Sequence, residues 1–109
     1  MNANLNECKR IMNGLFMFFM VNNVLRDHHK TLDGLHSVIK YMERTFSLNQ
    51  TEQHEVLRVF WNEYAKGTAG QVTETYINKT MIPSVYSIGR ADISLGGEFV
   101  SLIKERLGH

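Results

Sequence analysis

Seven consecutive apolar residues, Leu15-Phe16-Met17-Phe18-Phe19-Met20-Val21, constrain this chain more than any other feature. On a helix they point in every direction, so one packed face cannot cover them. Such a helix is central to a bundle or is buried between subunits. The run is too short to cross a bilayer, which takes about 20 predominantly apolar residues. Both flanks are polar: Asn13 and Gly14 precede it, and Asn22, Asn23, Arg26 and Asp27 follow it. Lys9 and Arg10 imitate the basic start of a secretion signal, but Asn22-Asn23-Val24-Leu25 lacks the small residues of a cleavage site. The segment therefore reads as a buried or interface helix, with no membrane span.

Periodicity extends this helix from residue 4 to about 27, capped by Asn2 or Asn4. Leu5, Cys8, Met12, Leu15 and Phe19 recur at spacings of three and four. Ile11, Phe18 and Leu25 form a neighbouring strip, and Phe16, Met20 and Val24 a third. Residues 32–46 carry the cleanest stripe, Leu32, Leu35, Ile39, Met42 and Phe46, with Thr31 or Asp33 as the cap. Gly34 blurs the start of that helix. Asn49-Gln50-Thr51-Glu52 has the pattern of a capping box and opens a third helix. Its inner face is Val56, Leu57, Phe60, Trp61 and Tyr64, and Gly67 is expected to end it in a left-handed conformation.

Residues 71–88 are ambiguous. Their β-branched content suits a small hairpin, which would make the fold α+β. A short helix to Met81, broken by Pro83, fits the helical surroundings better. A turn at Gly89–Asp92 then leads to a last helix from near Ser94 to Leu107. Leu95, Phe99, Leu102, Ile103 and Leu107 face inward in this reading, and Gly108 stops the helix. The sum is an all-α single domain over residues 1–109, a compact bundle of four or five helices.

Chemistry is harder to place. The chain of 109 residues has 12 Lys plus Arg and 11 Asp plus Glu, a net charge of +1. That balance gives no electrostatic footprint for nucleic acid. The third helix also opens with Glu52 and Glu55, which would repel phosphate if it entered a DNA groove. Cys8 is the single cysteine, so no internal disulfide or CxxC pair exists, and a reducing compartment such as the cytoplasm is the natural setting. His29, Asp33 and His36 would share a face only if the helix ran unbroken through residue 29. They are expected to be solvated residues rather than a metal site. Gly67-Thr68-Ala69-Gly70 and Gly96-Gly97 match no phosphate-binding motif. No nucleophile signature is present, so no enzyme activity and no cofactor are expected.

Surface for another protein remains. Six Met and six Phe are many for this length, and Met-rich apolar surface adapts well to partners. Phe16, Met17, Phe18, Met20 and Val21 are the candidate interface. The expected function is a small intracellular interaction module: a regulator, inhibitor or adaptor of a larger protein, of which a phage- or plasmid-type inhibitor is one version. The all-round apolar helix further predicts a two-fold homodimer. The alternative is a helical homo-oligomer that binds a small ligand at its subunit interface.

Overall fold

Asparagine decides where the first helix stops. A computed structural model describes residues 3–88 and 95–107, and among them all regular structure is helical. Helix α1 spans Ala3–Val21. Asn23 takes a left-handed backbone, φ 60°. The Val24 N–H then donates to the Phe19 carbonyl at 2.9 Å, and the Asn23 N–H to Met20 at 3.1 Å. This is a Schellman end, sealed by buried Val24. The helix is therefore shorter than the expected extent to residue 27, because Asn tolerates a conformation that most side chains avoid. Asn23→Val should cost roughly 1–2 kcal/mol, the usual penalty for a left-handed residue. Asn23→Gly should be neutral or stabilising in the same denaturant melts. Equal stability of the Val and Asn forms would rule out this geometry.

Helix α2 spans His28–Phe46, four residues longer at its start than its apolar stripe suggests. Its cap is Asp27, which accepts from the Lys30 N–H, and not Thr31 or Asp33. Thr31 instead turns its hydroxyl onto the Val24 and Asp27 carbonyls at 3.1 and 3.0 Å, tying the corner together. Gly34 lies well inside the helix. Leu32, Leu35, Ile39 and Met42 are buried as expected, and Phe46 is half-buried.

Helix α3 spans Gln50–Lys66 and begins with the expected capping box: Asn49 accepts from the Glu52 N–H at 2.9 Å, and Glu52 from the Asn49 N–H at 3.0 Å. Gly67 closes it at φ −88°, a right-handed value. The left-handed residues come later, at Ala69 and Gly70. The Gly67 and Thr68 N–H groups satisfy the last carbonyls by short i→i−3 bonds instead.

Residues 71–88 contain no strand, so the hairpin alternative fails. Thr73 caps helix α4, Glu74–Tyr76. A π-helical turn, Ile77–Met81, and helix α5, Ile82–Ser87, follow without a break, because the backbone stays right-handed helical at both joins. Pro83 does not end the rod at Met81. Proline lacks an N–H and crowds the carbonyl four residues back. The wide turn just before it, in which Ile82 N–H reaches the Ile77 carbonyl, takes up that misfit.

Helix α6 spans Leu95–Leu107. Gly96 and Gly97 fall inside its first turn. Phe99 and Ile103 are buried, but Leu102 is 47% exposed, contrary to the inward position expected for it. The expected Asn2 cap, the Gly89–Asp92 turn, the start at Ser94, the packing of Leu95 and Leu107 and the stop at Gly108 lie outside the described residues and side chains.

One connected core joins these elements. Helix α1 packs chiefly on α3, and α2 on α6, while the 74–87 rod lies against α2 and α3. Edge-to-face rings run through the centre: Phe19 to Phe60 at 5.8 Å, Phe60 to Trp61 at 5.2 Å and Trp61 to Tyr64 at 5.6 Å.

Candidate functional site

Helix α1 buries one seam and leaves another bare. Cys8, Met12, Leu15 and Phe19 are fully buried. Around the helix from them, Met17 is 53%, Met20 48% and Val21 80% exposed. Residues 15–21 are thus not covered on all sides by the described remainder of the chain.

The bare face borders an open groove of about 570 Å³ between α1 and α6. Ile11, Gly14 and Phe18 line it from α1, facing Phe99 and Ile103 of α6. Met17, Val21 and Leu102 stand at its edges as exposed apolar side chains. Phe18 rests on Phe99 with ring centres 5.3 Å apart, so the floor is aromatic. Glu7 and Arg10 supply the charge in the lining, paired with each other at 3.2 Å.

Of the five candidate interface residues, three line this groove: Met17, Phe18 and Val21. Met20 is exposed but lies outside the lining. Phe16 turns away and packs edge-on against Phe60 at 5.4 Å. Sequence reasoning missed the other wall. Periodicity alone sets Phe99, Leu102 and Ile103 inward together, whereas on α1 the Ile11–Phe18 strip and the all-round apolar run both signal a second face.

The remaining chemical candidates are placed as follows. His29 and Asp33 do share a continuous helix face, with Nε2 and Oδ2 3.5 Å apart. Asp33 is buried rather than solvated. His36 points elsewhere, its Nδ1 2.8 Å from the Val85 carbonyl. Among the described residues no three His, Cys, Asp or Glu side chains gather as a metal would require. No helix among them is long and apolar enough to cross a membrane.

Burial pushes the Cys8 thiol up to about 12, helped by the carboxylates of Glu7 and Glu52. Nucleophilic attack needs the thiolate, so this sulfur is inert at neutral pH. Thiol reagents should label Cys8 only after denaturation; labelling of the native chain at a free-thiol rate would contradict this burial. Alkaline stability follows with a definite sign. The unfolded thiol loses its proton near the ordinary 9.0, whereas the folded one keeps it to about 12. Tyr86 behaves likewise, raised from 10.0 to about 12 by burial and Glu43. Both contributions are whole below pH 9 and are lost as pH rises toward 12. Urea midpoints should fall across that window, and less steeply in Cys8→Ala.

No protein-family model, curated protein or solved structure matches this chain.

Proposed function

We propose that the chain is a small association module, of the regulator, inhibitor or adaptor kind, that works by docking an amphipathic helix of a protein partner into the α1/α6 groove. One observation carries the reading. Met17, Val21 and Leu102 stand about half exposed or more around an open apolar groove, while the other large apolar side chains are mostly buried. A contiguous apolar patch on a small chain is costly in water and marks a contact surface. Helix-in-groove recognition needs such a floor with adaptable edges, and the thioether of Met17 is adaptable. The module acts by binding alone, without catalysis or a cofactor. Its lone buried thiol suits the reducing cytoplasm.

The groove volume also lies within the roughly 300–1,000 Å³ typical of small-molecule sites, which favours a ligand held at a subunit interface as the second reading. The groove's openness and its single charged pair rank that reading lower. The test is capture with the whole chain as bait, beside Met17→Asp, Leu102→Asp and Tyr76→Asp. Tyr76 is exposed on α4, away from the groove. A partner lost with the two groove variants, kept with Tyr76→Asp, and cross-linked through an amphipathic helix supports the proposal. A captured set indifferent to Met17 and Leu102 overturns it. A small molecule retained in native mass spectrometry, and released by the same variants, favours the second reading.

A further inference from the structure

We infer that the helix this groove receives is α1 of a second copy, packed antiparallel about a two-fold axis. The inference rests on reading the groove as a helix-docking surface and names its occupant. It begins from spacing. Glu7, Arg10, Gly14, Met17 and Val21 follow one another at intervals of three, four, three and four. That is the narrow seam of a helix that packs on another helix. Helix α1 already has such a seam in Cys8, Met12, Leu15 and Phe19, which the chain's own core covers. The outer seam is a second one, and α1 itself has the chemistry to fill the groove that the seam borders.

Shape and charge along the seam fix the direction. Gly14 offers a dip beside the raised side chain of Met17. With the axis midway between these two positions, Met17 of each copy lies over Gly14 of the other. The same register sets Arg10 beside Val21 of the second copy, at the C-terminal end of its α1. That end has no basic residue in its own last turn. The capping bonds use the Phe18, Phe19 and Met20 carbonyls, but the Val21 carbonyl has no donor among the described residues. The end therefore keeps partial negative charge, and a guanidinium there is favourable. The Arg10 stem meanwhile covers Val21, the most exposed apolar side chain of the patch. A parallel pair would bring the two Arg10 side chains together and leave both C-terminal ends without a cation.

The area is sufficient. Helix α1 has 19 residues, a length of roughly 28 Å. Beside α6 it forms a two-helix layer about 20 Å wide. Helix α6, with 13 residues, is only roughly 20 Å long, so the projected face is on the order of 480 Å². Side-chain relief carries its accessible area toward the roughly 800 Å² per partner of a standard interface. Two such layers face to face make a four-helix arrangement of α1 and α6 from each copy.

The test is mass and topology in solution. Light scattering after gel filtration at micromolar protein should give twice 12.6 kDa for the wild type. Met17→Asp and Leu102→Asp should each return the single-chain mass with an unchanged helical spectrum, since both side chains are about half exposed already. Tyr76→Asp should remain dimeric. For direction, Arg10→Cys and Val21→Cys are treated with a short bis-maleimide, alone and mixed; buried Cys8 stays unreactive. Cross-links that appear chiefly on mixing support the antiparallel pair. Strong cross-linking of either variant alone overturns it, as does a dimer that survives Met17→Asp. A wild-type monomer that still captures a helix-bearing protein through Met17 overturns the second-copy occupant and leaves the docking reading standing. A monomer whose capture ignores Met17 overturns both.

Discussion

Phe19→Ala should lower the free energy of unfolding by about 3–5 kcal/mol, the range for deleting a buried aromatic side chain. Phe19 is fully buried and sits edge-on to Phe60, whose ring in turn meets Trp61. Removing it empties the point where α1, α2 and α3 converge. The cost also depends on Gly34. A Cβ built there would overlap Phe19 Cζ and lie 3.0 and 3.2 Å from the Cε atoms. An alanine inside a helix ordinarily gains about 1 kcal/mol over glycine. Here the ring is fully buried and set edge-on against Phe60, so Gly34→Ala should instead cost about 1–3 kcal/mol. In the Phe19→Ala background the added methyl fills vacated space, and the same substitution should stabilise. Urea melts of the four proteins read this reversal of sign directly. A stabilising Gly34→Ala in the wild-type chain would mean that the ring does not rest on the glycine.

Gly34 shows what one sequence conveys and what it leaves out. The 3-4-3-4 stripes of α1 and α2 and the capping box of α3 are local patterns, and each lies where periodicity and capping chemistry put it. Gly34 reads locally as a helix breaker, because the ring that requires it lies fifteen residues earlier on another helix. The Asn22-Asn23 stop is a local signal too, but the apolar repeat running on to Leu25 masks it. The groove was half legible. An all-round apolar helix announces surplus surface, but not which part its neighbours cover. On α6, Leu102 and Ile103 are adjacent and so point about 100° apart around the helix. The core takes Phe99 and Ile103, which leaves Leu102 to face the groove. Phe16 and Phe18 show the same limit, since only their ring partners on α3 and α6 determine that Phe16 turns away while Phe18 forms the groove floor.

Gln53→Leu should be the most damaging change of a polar residue, although leucine nearly matches the size of glutamine. Gln53 is buried at the start of α3, and its one amide serves three groups. The Nε2 donates to the Leu48 carbonyl at 2.9 Å and to Glu43 Oε2 at 3.1 Å, and Oε1 accepts from the Tyr86 hydroxyl at 2.9 Å. The amide therefore ties the α2–α3 corner to α5. Glu43 is exposed and recovers water at little cost. The buried Leu48 carbonyl and the half-buried Tyr86 hydroxyl do not, and each orphaned buried group costs about 1–3 kcal/mol. Tyr86→Phe leaves only Oε1 without its donor and should cost less than Gln53→Leu. Once the hydroxyl is gone, replacing Gln53 no longer strands it, so the double variant should cost less than the sum of the two. Strict additivity in the four-protein cycle would show that Tyr86 and Gln53 do not share this bond. A Gln53→Leu chain as stable as wild type would mean that water reaches the Leu48 carbonyl and the corner is not sealed.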